Sequence, residues 1–157
     1  MKVTTLEPLL AEHEFFSDFN ESDRELLAGC AANTSFRADE SILREGGAAD
    51  YFYLLRFGKV AIEYFAPGRG SVTIQTLGEG DVLGWSWLFP PYRSHYDARA
   101  LEVTRALRFD GACLRGKCDA DPELGYRVMK RFSQVVVERL SATQMQLMDL
   151  YGVGENV

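Results

Sequence analysis

The chain lacks any run of about 18 or more uncharged apolar residues, and its N-terminus carries neither a basic segment nor an apolar one behind it, which leaves no candidate membrane span and no signal-peptide pattern. The cytoplasm is the expected compartment. Histidine is scarce: only His13 and His95 are present, too few for a cupin-like metal centre of two or three histidines plus a carboxylate, and His13 falls outside the β-rich region. Nucleophile elbow, phosphate loop and Ser/His/Asp set are all missing, so the expectation is that this is not an enzyme. Positive charge is short as well. With 17 Lys+Arg against 23 Asp+Glu, the formal net charge of −6 opposes the non-specific phosphate attraction behind most DNA affinity, and direct nucleic-acid binding is disfavoured.

Cysteine is sparse and odd in number. Cys30, Cys113 and Cys118 are too few for a secreted disulfide framework, so reduced thiols are expected. Cys113 and Cys118 flank Leu114-Arg115-Gly116-Lys117, whose positive charges favour a thiolate. On a continuous helix, however, five residues turn about 140° past a full revolution and the two sulfurs diverge. A redox pair therefore requires Gly116 to break the helix; otherwise Cys113 is a buried packing residue and Cys118 is incidental. Two cysteines also fall short of the four ligands usual at structural zinc or iron–sulfur sites.

What is present fits one domain with a buried core: 157 residues, 46% hydrophobic and 25% charged. The chain divides into N-terminal helices over 1–34, a β-roll over 35–110 and C-terminal helices over 111–157. In the first part, Ser22 is placed to cap a helix with Glu25 completing a capping box, Leu6, Leu9 and Leu10 suggest an earlier helical turn, and Phe15, Phe16 and Phe19 wedge against the core. Between Phe36 and Phe109, turn signals recur at roughly ten-residue spacing, as in an antiparallel sandwich or barrel of about eight short strands. Tyr51 to Leu55 reads as a buried strand; Val60, Ile62 and Tyr64, and then Val72, Ile74 and Thr76, alternate with their neighbours. After Pro122, Val136, Leu140, Thr143, Leu147 and Leu150 recur at spacings of four and three, a short heptad seam. A helix from Glu123 to about Tyr151 would be roughly 40 Å long, more than one small barrel covers. Its excess apolar stripe, including Met145 and Met148, predicts a homodimer through that seam, the alternative being a helix laid lengthwise on its own barrel.

Two segments carry a family resemblance. Asp50-Tyr51-Phe52-Tyr53-Leu54-Leu55-Arg56-Phe57-Gly58-Lys59-Val60 and Ile74-Gln75-Thr76-Leu77-Gly78-Glu79-Gly80-Asp81-Val82-Leu83-Gly84 resemble, in order, the strand-turn-strand and Leu-Gly-x-Gly-Asp signatures of the catabolite-activator and fumarate-nitrate-regulator superfamily. The resemblance extends over nearly the whole chain. It implies a mainly β fold with flanking helices: a double-stranded β-helix, or jelly-roll, of the cyclic-nucleotide-binding kind plus a long C-terminal helix. Those transcription factors continue into a helix-turn-helix domain, whereas this sequence stops at Val157, so the resemblance implies a stand-alone sensor without its DNA reader.

The resemblance also implies where a ligand sits. In that family a Gly-Glu-x-x-Leu turn offers backbone N–H groups to the cyclic phosphate, the glutamate takes the ribose hydroxyl, and an Arg-Ser/Thr-Ala segment supplies the counter-charge, an arrangement of anion, helix N-terminus and guanidinium. Gly84 and Leu88 are kept here, but Trp85 replaces the glutamate, and an indole N–H donates without accepting. Alignment from Gly84 puts His95 at the arginine position, alignment back from Ala100 puts Ser94 there, and Arg93 lies one residue away; Arg99 on the next strand is a further candidate. The candidate ligand-binding residues are thus Gly84, Trp85, Ser86, Trp87, Leu88, Arg93, Ser94, His95 and Arg99. With Phe89, Tyr92 and Tyr96 they make the segment unusually aromatic. Either it forms a cage for a planar or anionic small ligand, a cyclic nucleotide held weakly included, or the indoles fill the ancestral cavity themselves. Pro90-Pro91 stiffens the loop in either case. No cofactor is implied. A partner-binding role stays open: Gly-Trp-Ser-Trp-Leu-Phe-Pro-Pro is similar to segments of small proteins associated with nickel–iron hydrogenase systems, which implies an accessory or redox-coupled regulator.

Overall fold

The computed structural model describes residues 6–151. Two four-stranded antiparallel sheets face each other. The first is ordered β1 (Ala31–Phe36), β8 (Thr104–Asp110), β3 (Tyr51–Phe57), β6 (Val82–Leu83); the second is β2 (Ser41–Leu43), β7 (Asp97–Ala100), β4 (Val60–Ala66), β5 (Gly70–Leu77). The roll therefore begins at Ala31, inside the span expected to be helical.

The first sheet is covered on both faces, and this explains why β3 reads as a continuous apolar run. Phe52 and Leu54, with Leu107 and Phe109 of β8, turn outward onto the helices, while Tyr53 and Leu55, with Ala106, turn into the roll beside Val60, Ile62 and Ala98. Two cores thus share one sheet, a purely antiparallel sheet buried on each side rather than wetted on one.

The helical layer on the outer face consists of α1 (Glu7–Ala11), α2 (Glu21–Ala28), α3 (Gly111–Ala120) and the first half of α4 (Pro122–Leu150). Phe15, Phe16 and Phe19 are buried in it, with Phe15 and Phe132 edge to face at 5.4 Å between centroids. The cap of α2 is Asn20, not Ser22: its side chain accepts the Asp23 N–H at 2.8 Å, so the helix starts earlier and Ser22 lies in its first turn. Asparagine caps as well as serine. Asp23, buried, then receives two 2.7 Å bonds from the Arg127 guanidinium of α4.

The cysteines depart from expectation. α3 runs unbroken through Gly116, so Cys113 and Cys118 point apart as helical spacing requires, and Cys113 is instead joined to Cys30 in a disulfide across 83 residues of sequence. Cys30 is held there because its carbonyl accepts the Asp110 N–H just beyond the Ala31–Phe109 ladder pair, which brings the start of β1 against the first turn of α3. Spacing within one helix carried no information about this partner. Cys118 remains a free, half-buried thiol, and burial raises its pKa, so it is a poor thiolate.

α4 buries Leu124, Val128, Phe132 and Val135, lies alongside β5 from Val136 to Thr143, and then runs on exposed. Val136 is half-buried, whereas Leu140, Thr143, Leu147 and Leu150 are exposed, as are Met145 and Met148. Among the described residues no helix is long and apolar enough to cross a membrane, and no cluster of His, Cys, Asp or Glu is placed to hold a metal ion.

Candidate functional site

A cavity of about 290 Å³ lies between the second sheet and α4. Ile62, Tyr64, Ile74 and Gln75 form its sheet side, Trp85 and Tyr96 its end, and Val136, Arg139, Leu140 and Thr143 its helix side. A β-bulge shapes the sheet wall. Ile62 pairs with Gln75 and Glu63 with Thr73, leaving Ile74 unpaired, and the strict alternation expected along β5 gives way to two successive residues, Ile74 and Gln75, that both line the cavity.

The lining is mostly apolar; of its polar groups, Thr143 Oγ1 donates to the Arg139 carbonyl at 2.9 Å, and several others are buried without a partner. Among the described residues, Gln75 Oε1, Trp85 Nε1, Tyr96 Oη and Arg139 Nε are buried without a hydrogen-bond partner, and all four residues line this one cavity. An orphaned buried polar atom costs about 1–3 kcal/mol, and four of the five such atoms among the described residues belong to residues around this one space, the fifth being Trp87 Nε1 in the helix-side core. Tyr96 is only 3% exposed. Burial pushes its phenol up to about 12, against smaller opposing effects of the Arg139 charge and of the Gly84 N–H and Arg139 guanidinium close to its oxygen, contacts short of well-formed hydrogen bonds, so the hydroxyl is neutral at physiological pH. Arg139 forms no ion pair among the described residues; its other contact is a bond from Nη2 to the Val82 carbonyl.

The loop leading into the cavity sorts the sequence candidates. Gly84 takes φ +98°, and Trp85 follows it as the residue before a 3-10 turn, Ser86–Leu88. The Trp85 ring stacks on His95 with centroids 4.8 Å apart, and Ser86 Oγ and His95 Nδ1 are hydrogen-bonded at 3.0 Å. Trp87, two residues on, goes the other way. It is fully buried in the helix-side core, stacked on Phe52 at 5.1 Å and edge-on to Phe132 at 5.0 Å, and does not line the cavity. Gly111 makes room for it: a Cβ there would stand 2.9 Å from the Trp87 Cβ. Leu88 follows Trp87 to that side, where the two border a separate groove with Tyr92, Arg115 and Cys118.

None of the arginine candidates reaches the start of the 3-10 turn. Arg93 is exposed and donates to the Gly46 carbonyl at 3.0 Å; Ser94 is buried and donates to the Tyr96 carbonyl at 2.7 Å. Arg99 projects from the outer face of the second sheet, bonded to Glu63 at 3.1 and 3.0 Å and to Asp39 at 2.9 Å, because alternation along β7 turns Ala98 and Ala100 inward. The loop contains a cis Pro90-Pro91 bond and Tyr92 at φ +57°. Of the sequence candidates, then, the structure brings Trp85 to the cavity with Gly84 and His95 beside it, and places Trp87, Leu88, Arg93 and Arg99 elsewhere. Gln75 and Arg139 were missed. Arg139 had a readable signal, a lone cation three residues after Val136 on the inward stripe of α4, whereas Gln75 depended on a bulge that alternation hides.

The sequence profile of the cyclic nucleotide-binding domain family matches residues 33–121. The chain is similar to a CRP-like cAMP-activated global transcriptional regulator of Mycobacterium tuberculosis, 25% identical over 145 residues, covering 92% of this chain and 63% of that protein. It thus spans less than two thirds of the length of the curated relatives it matches. Among solved structures, a candidate cyclic nucleotide-binding protein of Geobacter metallireducens superposes with TM-score 0.76 at 27% identity, covering 88% of this chain and 99% of the other. A cyclic nucleotide-binding domain of Methylobacillus flagellatus superposes with TM-score 0.78 at 19% identity, covering 95% and 88%, which speaks to the fold alone.

Proposed function

Since the chain belongs to the cyclic nucleotide-binding domain family, we propose that it is a non-enzymatic regulatory module whose cavity has diverged from cyclic nucleotides to another small ligand, with its output carried by α4. The observation that carries this reading is the cavity with its four unpartnered polar atoms, on which no glutamate and no loop arginine converge. A cyclic nucleotide brings a phosphate anion and a ribose hydroxyl. Here the residue at the ribose-binding position is an indole, which leaves that hydroxyl without its acceptor at a cost of about 1–3 kcal/mol, and Arg93 and Arg99 are engaged elsewhere. Trp87 lies in the core instead of the cavity, which favours a space left open over one filled by both indoles.

The route from ligand to output runs through three residues. Val136, Leu140 and Thr143 line the cavity and also belong to the heptad seam, so whatever occupies the cavity touches the face proposed to pair two copies. Occupancy acts by favouring one placement of α4 over another, a population shift. The curated relative is described as cAMP-activated and as a transcriptional regulator; for this chain the corresponding role is ligand-controlled regulation exerted through the helix seam.

The chain has two tryptophans, so Trp87→Phe leaves Trp85 as the reporter. Titrating that variant with a panel of small planar and anionic compounds is expected to give saturable quenching by at least one class, together with a raised melting temperature. Fluorescence and melting indifferent to the whole panel would overturn the reading and leave a self-contained structural domain.

A further inference from the structure

The polar atoms that stand unpaired around the cavity define the ligand more closely than the fold does. Trp85 Nε1 and Arg139 Nε are donors only, the Tyr96 hydroxyl can donate as well as accept, and Gln75, whose amide can turn either end inward, offers an acceptor. Three side chains able to donate, one of them cationic, are buried in the wall, and the Arg139 guanidinium is within hydrogen-bonding reach of the Tyr96 hydroxyl, so a ligand competes with that pair. Arg139 has no carboxylate partner among the described residues, and it stands beside the Tyr96 hydroxyl. The rest of the wall is aliphatic or aromatic: Ile62, Ile74, Tyr64, Val136 and Leu140. A space of about 290 Å³ sits at the lower edge of the roughly 300–1,000 Å³ of pockets that hold drug-sized ligands.

Building on the reading given under Proposed function, we propose that the ligand is a small carboxylic acid with a flat apolar body, its carboxylate accepting hydrogen bonds from Arg139, Tyr96 and Trp85 and its body lying against Ile62, Ile74 and Leu140. A carboxylate supplies a single negative charge to match a single guanidinium, and its oxygens have the lone pairs that three convergent donors need. A phosphate monoester carries close to two negative charges at neutral pH on a bulkier tetrahedral head, more than one guanidinium matches, and a cyclic diester, though singly charged, brings a ribose hydroxyl whose proton Trp85 cannot accept. An uncharged ligand would leave the guanidinium without a counter-charge.

The test uses the full chain carrying Trp87→Phe, with benzoate and indole-3-acetate as probes, benzyl alcohol and indole-3-methanol as their uncharged matches, and cAMP and inorganic phosphate alongside. The expected result is that each carboxylate binds at least roughly tenfold tighter than its alcohol, as charge-assisted hydrogen bonding implies, and that phosphate does not compete. Arg139→Gln is expected to abolish the preference for the acid over the alcohol while leaving the alcohol's affinity in place. Tyr96→Phe, which removes one hydroxyl and no packing, is expected to weaken the acids alone and serves where Arg139→Gln fails to fold. Acid and alcohol binding equally would overturn the carboxylate assignment and leave the ligand-pocket reading standing. Binding of cAMP in preference to every other compound would overturn both, as would silence towards all six.

Discussion

The Tyr96 hydroxyl is the most deeply buried of the cavity's unpartnered groups, and its proton is held by burial. Because the folded-state pKa is about 12 against an ordinary 10, the folded chain keeps a proton that the unfolded chain releases between those values. The stability this represents is intact below pH 10 and is lost as pH rises through 12, on the order of 2–3 kcal/mol in all. Comparing urea unfolding of wild type and Tyr96→Phe isolates it: the variant is expected to be as stable or slightly more stable at pH 7, since it removes an orphaned hydroxyl, and to lose less stability between pH 10 and 12. A variant destabilised by more than about 1 kcal/mol at pH 7 would mean that the hydroxyl has a partner in the protein. At this scale the sequence was half legible. Trp85 could be singled out because an indole stood where the family resemblance implies a carboxylate. Trp87 could not be separated from it, since Trp85 before the 3-10 turn borders the cavity while Trp87 within the turn is buried in the helix-side core, a choice made by Gly111 and the Phe52–Phe132 pocket rather than by local pattern.

Among the elements, α2 and α3 are tied to the rest of the domain by bonds that local patterns did not announce. Asp23 sits at 3% exposure with its carboxylate on Arg127, so Arg127→Leu strands a buried charge and is expected to cost about 3–5 kcal/mol in denaturant unfolding, whereas Ser22→Ala, in the first turn rather than at the cap, is expected to cost under about 0.5 kcal/mol. The reverse order would restore Ser22 as the cap. The disulfide closes a long loop, so reducing it is expected to lower stability by about 2–4 kcal/mol. Thiol titration of the unreduced chain under denaturation is expected to count Cys118 alone; three reactive thiols would contradict the Cys30–Cys113 bond. The helices themselves were readable from Pro122 and periodicity, with α4 found within a residue of its expected limits, although the cap of α2 was placed two residues late. The disulfide was not readable because a bridge from the residue before β1 to the first turn of α3 is fixed by the pairing of β1 with β8, which cysteine count and helical spacing do not encode.

For the molecule as a whole, the eight-strand sandwich was legible in the regular turn spacing and the two family-like segments, and Tyr51 to Leu55 read as a buried strand, though not as part of a sheet covered on both faces. The cavity was not, because it forms only where three distant stretches meet: the bulged β5, the loop after Gly84 and the middle of α4. The exposed stripe of Leu140, Leu147 and Leu150 gives the proposed pairing its own check. Light scattering at tens of micromolar is expected to report a dimer that Leu147→Glu converts to a monomer with little change in monomer unfolding, and a monomeric wild type would remove the seam from the scheme. If cavity and seam are coupled, a bound acid must shift the dimerisation constant, and dimerisation must shift the acid's affinity by the same factor. Everything in this scheme depends on the cavity having left cyclic nucleotides behind. Calorimetric titration of the purified chain with cAMP and cGMP decides that most directly: the expected result is no binding tighter than the millimolar range, and micromolar affinity for either nucleotide would contradict it.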